Sequence, residues 1–364
     1  MTAFLTAALR TAVVPQGGAF AAFELHQLVA PLVAPCLAMG GIDPGEVDEL
    51  ILSNALGAGG NQARVAALAA GLPERVAGLT TDRQCAGGLD ALGLAMALVA
   101  SGQAQAVLAG GVESHSRRPL RFRTDPGGDP PRPYDRPPFT PWPDRDPDLA
   151  QAAADLGRRL GIGEDRQVAW AIDSHAKALA ARPRLRAEIL PLAGQLDDAF
   201  TRRLTPALAA RAPKGPAGLT AATTAVAADA AALCLVVSPR LAARAPQALR
   251  LVGAATIGAR PEDPALAPLA AIEAVFGRAG RRPANLAQAE IMEAYAIQAI
   301  ACIEGAGLDP ALVNPGGGAL ARGHPIAASG AILALRLFHD LRQGLGLAAI
   351  AAAGGLGSAL LVEA

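Results

Sequence analysis

Aromatic residues and lysine are scarce in this sequence of 364 residues. Aromatics make up 3%, lysine occurs only as Lys177 and Lys214, and 32 basic residues balance 32 acidic ones. A chain without net charge has no overall field that attracts nucleic acid or an anionic membrane, so we expect neither as a partner. Hydrophobic residues amount to 52%, which is typical of a globular protein rather than a disordered one.

Cysteine and long hydrophobic runs are also limited. The four cysteines stand at 36, 85, 234 and 302, and no two form a Cys-x-x-Cys pair. This spacing argues against structural zinc or a disulfide framework and favours reduced thiols in the cytoplasm. Apolar runs such as 91–100 and 348–353 fall short of the about 20 residues that span a bilayer, and residues 1–10 lack a signal-peptide pattern.

Short apolar runs alternate with helical patterns in the first third of the chain. The pattern predicts strands at Ala12–Val14, Glu49–Leu52 and Ala106–Ala109, and helices at Leu25–Met39 and Gly87–Ser101. Such alternation is typical of a layered α/β fold.

The composition changes after Ser116. Residues 117–147 are rich in proline, arginine and aspartate, which predicts irregular, extended chain. Helical patterns follow at 149–160 and 164–181, and strand character returns only at 232–237. We therefore interpret about 117–217 as an inserted subdomain, where loops that contact substrates often lie.

The last third repeats the plan of the first. Cys85-Ala-Gly-Gly opens a helix, and the strand after it ends at Gly110-Gly111. His324-Pro-Ile-Ala-Ala-Ser-Gly likewise precedes a helix, predicted at Ala331–Leu341, and the next strand ends at Gly354-Gly355. This suggests two tandem copies of one α/β unit, although two matches alone also arise by coincidence.

Cys85 is the candidate nucleophile. A thiol at a helix start feels the positive end of the helix dipole, which favours the thiolate. The alternative is a buried cysteine at a tight strand-to-helix turn. For the other three cysteines, which lie in apolar runs, we favour a place in the core.

His324 is the candidate base for that thiol. It lies in a glycine-rich segment just ahead of a helix, from which an imidazole can reach a cleft and deprotonate a cysteine. The alternative is a structural hydrogen-bonding role. We favour solvated or structural roles for the remaining histidines, which are His26, His115, His175 and His339.

Five segments together resemble the thiolase family. Residues 83–91 resemble its nucleophile segment, 110–119 the end of its N-terminal half, and 290–299 its Asn-Glu-Ala-Phe-Ala segment. Residues 314–330 resemble its Gly-His-Pro signature and 354–357 its C-terminal glycine-rich loop. The set covers nearly the whole chain in the right order, which makes it far more specific than any single member.

The resemblance implies a duplicated α/β fold with five layers, αβαβα. The N-terminal domain would comprise 1–116 plus about 218–245, the inserted loop domain about 117–217, and the C-terminal domain 246–364. The family also implies an acyl-CoA substrate bound partly by the loop domain, coenzyme A as a substrate moiety with no other cofactor and no metal, and a homodimer or homotetramer.

The resemblance implies acyl transfer in two steps, as in fatty acid metabolism. Cys85 would attack a thioester after passing its proton to His324, and the backbone N–H groups of Cys85 and Ala353 would form the oxyanion hole. A second family cysteine then normally removes a proton from another acyl-CoA, whose enolate attacks the acyl-enzyme.

Two family positions carry other residues here. Ala351 replaces the second cysteine, and Met292 replaces the asparagine that holds a water in an oxyanion hole. Losing an oxyanion donor typically costs about 10²–10³ in rate, and losing a general base about 10²–10⁴. The sequence therefore predicts that an acyl-Cys85 can form while thiolysis and condensation are impaired.

Three hypotheses remain open from the sequence. The chain is an acyltransferase whose second step needs no base at Ala351, or an acetyl-CoA acetyltransferase with a replacement base. The third hypothesis is a catalytically weak subunit that binds acyl groups or a partner protein.

Overall fold

The computed structural model describes residues 2–57 and 59–364. Strands and helices alternate along it. The strands are β1 (Ala3–Arg10), β2 (Val14–Pro15), β3 (Glu49–Ser53), β4 (Ala77–Thr81), β5 (Ala106–Glu113), β6 (Phe122–Arg123), β7 (Arg132–Pro133), β8 (Ala228–Val237), β9 (Leu249–Gly258), β10 (Leu286–Ile291), β11 (Leu345–Ala352) and β12 (Leu356–Glu363). The α-helices are α1 (Leu25–Gly40), α2 (Gln62–Ala69), α3 (Gly87–Ser101), α4 (Leu149–Leu160), α5 (Glu164–Leu185), α6 (Pro206–Ala210), α7 (Pro239–Ala242), α8 (Ala267–Ala279), α9 (Ala296–Gly305), α10 (Ala319–Arg322) and α11 (Ile326–Asp340).

The main sheet contains two similar halves. Its order is β10-β11-β12-β9-β1-β8-β5-β3-β4, with β2 paired to β8. In the N-terminal half, β3 pairs with β5 in parallel, and β8 is antiparallel to both β5 and β1. In the C-terminal half, β10 pairs with β11 in parallel, and β12 is antiparallel to both β11 and β9. Four strands of each half correspond, β4 is an additional edge strand of the N-terminal half, and the halves meet where β1 pairs with β9.

The helices complete a five-layered αβαβα arrangement. Helices α3 and α11 contact each other and strands of both halves, so they form the central layer. Helices α1 and α2 cover the outer face of the N-terminal half, and α8 and α9 cover that of the C-terminal half. The duplicated α/β fold predicted from the sequence is therefore confirmed.

Two glycines let the central helices cross closely. A Cβ atom on Gly88 of α3 would lie 2.5 Å from the Ala327 carbonyl oxygen, and one on Gly330 of α11 would lie 2.5 Å from the Leu89 nitrogen. Any other residue at either position would force the helices apart. The crossing therefore holds the N-terminal ends of both helices, where Cys85 and His324 lie, next to each other.

The inserted segment divides into an extended part and a helical part. Residues 117–147 are mostly exposed and form the small hairpin of β6 and β7 and a 3₁₀ turn at Pro143–Arg145. Helix α4 then packs on α9, and α5 packs on α9 and α10. The helical part thus forms a wall over the C-terminal half of the molecule.

One segment has the length and apolar composition of a membrane-crossing helix. It spans Gln84–Ser101, and 44% of it is buried inside the fold. The segment is the exception to the expectation that apolar runs stay short. Its place in the central layer explains the composition, because a helix packed on several sides needs apolar residues around most of its surface.

Some predicted boundaries were wrong. The strand β1 was not predicted, because a central strand buried on both faces lacks the alternating pattern, and the strand expected at Ala12–Val14 is present only as the short β2. Strand β8 begins at Ala228, before the predicted 232, and α11 begins at Ile326, before the predicted Ala331.

The two Gly-Gly pairs have different roles, which corrects their predicted equivalence. Gly110 and Gly111 lie inside β5, where an added Cβ would come within 2.0 Å of a carbonyl oxygen in each case. Gly354 and Gly355 instead follow β11 in a turn, with φ of 77° and 74°. The first pair permits close approach of the backbone, and the second permits a left-handed turn.

Candidate active site

Cys85 lies in a tight turn between β4 and α3. The turn is the single 3₁₀ segment Gln84–Ala86, and Gln84 has a left-handed φ of 49°. Gly87 follows directly, and a Cβ atom there would lie 1.9 Å from the Ser53 hydroxyl. The strained turn and the glycine together bring the thiol to the N-terminal end of α3, where it is partly exposed.

His324 reaches the thiol from the N-terminal side of α11. Its backbone N–H donates to the Val226 carbonyl at 2.7 Å, which ties the segment to the strand region before β8. Its Nε2 lies 3.2 Å from Cys85 Sγ. The structure therefore brings together two residues that are 239 positions apart.

Ser329 sets the tautomer of His324. The Ser329 hydroxyl lies 2.7 Å from Nδ1 and donates to the Pro325 carbonyl at 3.3 Å. Since a hydroxyl has one hydrogen, it accepts from Nδ1–H. That leaves a lone pair on Nε2, directed at the thiol. The imidazole is thus oriented as a base for Cys85.

Burial keeps the pair neutral. It raises the pKa of the Cys85 thiol to about 12; the backbone N–H of Cys85 lowers that pKa, while the Glu113 and Asp82 carboxyl groups raise it further. Burial also lowers the pKa of His324 to about 3, and His115 adds to this effect. The expected preference for the thiolate, argued from the helix dipole, is therefore outweighed by loss of solvent. Thiol and imidazole meet as neutral groups at neutral pH.

A small apolar cavity of about 60 Å³ adjoins Cys85; we call it the Cys85 cavity. Ala351 and Ala353 line it, so the position of the family's second cysteine faces the thiol but carries only a methyl group. Ala353 also lies where the sequence places an oxyanion donor. Met292 is buried in the central core and is not part of the lining.

A larger cavity of about 480 Å³ lies beside the Cys85 cavity. The two share Leu149 and Tyr295 in their linings. The larger one is also lined by Arg136 and Lys214, which both bring positive charge from the inserted segment. It offers a route from the surface toward the thiol.

Three polar residues at the site were not singled out from the sequence. Ser329 orients His324, while Tyr295 and Gln298 line the Cys85 cavity. A signal existed for Ser329, which stands five residues after the histidine at the start of a helix. Tyr295 and Gln298 lie within the family-like segment 290–299, but their place at the cavity follows from where α9 packs and is not readable from the motif.

The other histidines lie apart from the thiol. His339 Nε2 bonds to the Ala8 carbonyl at 2.8 Å, and His175 is buried with its Nδ1 accepting from the Arg202 N–H at 3.4 Å. His115 differs from the other histidines, because it lies close enough to His324 to lower the pKa of that imidazole. The described residues hold no cluster of three or more His, Cys, Asp or Glu side chains suited to a metal, and all four cysteines are free thiols.

Two family models match nearly the whole chain. Residues 3–238 match the family model described as the N-terminal domain of thiolase, and residues 245–364 match the C-terminal domain. The chain belongs to the thiolase family. Thiolases of this kind are acyltransferases, and the chain is accordingly an acyltransferase enzyme.

Similar proteins cover its full length. A candidate acetyl-CoA C-acetyltransferase of Bacillus subtilis, YhfS, is 36% identical over 100% of this chain and 99% of its own length. Another, VraB of Staphylococcus aureus, is 31% identical over 99% and 98%.

Two solved structures share the fold. The Bacillus anthracis acetyl-CoA acetyltransferase has a TM-score of 0.91 at 28% identity and covers 100% of this chain and 98% of its own. The Acat5 thiolase of Ascaris suum, solved in complex with coenzyme A, has a TM-score of 0.92 at 26% identity and covers 100% of both.

Proposed function

We propose that this thiolase accepts an acyl group from an acyl-CoA thioester onto Cys85. One observation carries the proposal: Cys85 Sγ lies 3.2 Å from a bare His324 Nε2 whose Nδ1–H is held by Ser329. This is the arrangement of a nucleophile, its base and a group that orients the base.

The neutral pair defines the order of proton movements. The Sγ proton passes to Nε2 as sulfur attacks the thioester carbon, and the carbonyl electrons move to oxygen. The intermediate collapses by expelling the coenzyme A sulfur, which takes the proton back from Nε2. The acyl group then remains on Cys85, and the histidine is again neutral. Backbone N–H groups of Cys85 and Ala353 would stabilise the oxyanion, and such donors do not depend on side-chain identity.

The larger cavity suits the carrier part of the substrate. Arg136 and Lys214 in its lining match the phosphate groups of coenzyme A in charge. A neighbouring fold, the Ascaris suum thiolase, is known in complex with coenzyme A. The acyl end would reach the thiol past Leu149 and Tyr295, and the small Cys85 cavity favours short acyl groups. The reaction requires no other cofactor.

The second half-reaction is the part we propose to be impaired. Ala351 offers no group that can move a proton, and Met292 offers only a weak acceptor to a catalytic water. Transfer to another acceptor, or condensation driven by decarboxylation, would need no base at Ala351. We propose the same cytoplasmic, homodimeric or homotetrameric state that the family implies.

A second candidate is ordinary acetyl-CoA acetyltransferase activity with a replacement base. The names of the Bacillus subtilis and Staphylococcus aureus relatives favour it. The remaining possibility is a weak subunit that binds acyl groups or a partner.

Intact mass spectrometry after incubation with a panel of acyl-CoAs distinguishes these possibilities. We expect an adduct of one acyl group with a short-chain acyl-CoA, absent in Cys85→Ala. An adduct that free coenzyme A removes rapidly would favour the acetyltransferase alternative. No adduct with any acyl-CoA would leave only the binding subunit.

A further inference from the structure

Gln298 carries a buried amide group on the wall of the Cys85 cavity. It is the third residue of α9 and is 2% exposed. Its Oε1 accepts a hydrogen bond from the Ala294 N–H at 3.1 Å. Since that N–H can only face an acceptor, the contact fixes which end of the amide is oxygen. Nε2 is the other end, and it has no hydrogen-bond partner among the described residues.

The surroundings of Nε2 explain what would satisfy it. Most of the lining is apolar, contributed by Leu149, Ala153, Pro264 and neighbouring alanines. Native proteins keep few buried donors without a partner, and each calls for a specific explanation. A ligand that brings an acceptor into the cavity would supply one. The acceptor of an acyl thioester is its carbonyl oxygen.

We propose that Gln298 Nε2 donates a hydrogen bond to the thioester carbonyl oxygen of the acyl group in the Cys85 cavity. This rests on the proposed function of acyl-CoA binding. The residue lies in the first turn of α9, a helix of ten residues, so the positive end of the helix dipole also favours negative charge on that oxygen. Gln298 thereby supplies a side-chain donor on a cavity wall that is otherwise mostly apolar.

The test compares two ligands in a chain that cannot react. In the Cys85→Ala background, calorimetry gives the affinities for acetyl-CoA and for S-ethyl-CoA, in which a methylene group replaces the carbonyl. We expect acetyl-CoA to bind about 2- to 12-fold more tightly, the worth of one hydrogen bond. Gln298→Met, of similar length without polar atoms, and Gln298→Glu, which keeps the acceptor for the Ala294 N–H, should both lower this ratio, while the backbone donors at positions 85 and 353 remain.

A matched control separates the cavity from general effects of losing a buried amide. Gln167 is also buried, but its Nε2 donates to the Ile162 carbonyl at 3.0 Å, and it does not line the Cys85 cavity. Gln167→Glu should leave the ligand ratio unchanged.

The outcomes distinguish the two proposals. A ratio that is undiminished in both Gln298 variants, or that is absent with Gln298 in place, overturns the role of Gln298. Acylation of Cys85 is measured separately by intact mass in the chain with its cysteine. Loss of that adduct would overturn the proposed function even where the ratio behaves as expected.

Discussion

Cys85 and His324 face each other as a thiol and an imidazole, neither of them charged. Many reactive cysteines instead rest as thiolates beside a cation. Here burial acts in the same sense on both groups, raising the pKa of the thiol to about 12 and lowering that of the imidazole to about 3. The proton therefore moves only when a substrate carbonyl is present to take up the charge.

This neutral pair predicts how Cys85 reacts with iodoacetamide. Because only the thiolate is alkylated, the rate should rise about tenfold per pH unit from pH 7 to pH 10 without reaching a plateau. Mass spectrometry of the labelled chain gives the rate, and Cys85→Ala is the control. Cys36, Cys234 and Cys302 are fully buried and should stay unlabelled in the folded protein. A constant rate below pH 7 would instead indicate a thiolate–imidazolium pair.

Restoring the two missing family residues should restore the second step. If the second step is impaired as proposed, the double variant Ala351→Cys, Met292→Asn should cleave acetoacetyl-CoA with free coenzyme A at least about 10²-fold faster, since it gains the base and the oxyanion donor that the family resemblance places at these positions. The loss of acetoacetyl-CoA absorbance measures the rate.

Ala348→Cys is the matched control for the added thiol. Ala348 lies in the same strand, β11, but it is buried in the central core and does not line the Cys85 cavity. A thiol there should not raise the rate. If the double variant forms the Cys85 adduct but gains no thiolysis, some other residue limits the second step.

At the scale of elements, the crossing of α3 and α11 decides whether a site exists. The helices begin next to Cys85 and His324, and they approach at Gly88 and Gly330. At both glycines the atom that an added Cβ would meet first is a backbone atom of the other helix, which cannot move aside as a flexible side chain would. The distance between sulfur and imidazole depends on this packing.

Gly330→Ala should destabilise the fold and disturb the site. The new methyl group would lie 2.5 Å from the Leu89 nitrogen, a backbone atom, and overpacking of this kind costs about 1–3 kcal/mol. Urea unfolding measures the loss. Gly277→Ala in α8 is the control: nothing lies within 4 Å of its added Cβ, and we expect a gain of about 0.5–1 kcal/mol. Equal effects of the two variants would contradict the role of the crossing.

At the scale of the whole molecule, a buried ion network connects parts that are distant in sequence. Glu188, just after α5, pairs with Arg10 of β1 at 2.7 Å and with Arg336 of α11. Arg10 also pairs with Asp198 at 2.6 Å, and Arg336 with Asp340. The network ties the inserted segment to the first strand and to the central layer.

Glu188→Gln should destabilise the protein by about 3–5 kcal/mol, because it removes one of the two carboxylate partners from each of the buried residues Arg10 and Arg336. Burial alone would raise the pKa of Glu188, but Arg336 and Arg10 lower it to about 2. A lowered pKa contributes stability that is present above pH 4.5 and lost as the pH falls toward 2.

Thermal unfolding at pH 7 and between pH 4.5 and pH 2 checks both effects. The variant should be less stable at pH 7 and should lose less on acidification than the unchanged protein. Glu46→Gln is the control, since its carboxylate pairs with Arg244 at the surface, where such pairs contribute little. A similar loss in both variants would show that burial of the network does not matter.

Local sequence determined much of this protein. The helices α1, α3 and α4 begin at the predicted residues, because apolar spacing and caps act within a few residues of the chain. The motifs around Cys85 and His324 identified the family from the sequence, since the residues of each glycine-rich turn are contiguous along the chain. The strand β1 was not predicted from the sequence, since a strand buried on both faces has no alternation of apolar and polar residues.

Tertiary structure alone decided the charge state and the partners of the site. The helix dipole at Cys85 is readable from sequence, but the loss of solvent that outweighs it depends on every layer packed around the thiol. The tautomer of His324 depends on Ser329, and the unpaired amide of Gln298 depends on how α9 meets the Cys85 cavity. Burial and hydrogen-bond partners are properties of distant segments brought together, so no local pattern encodes them.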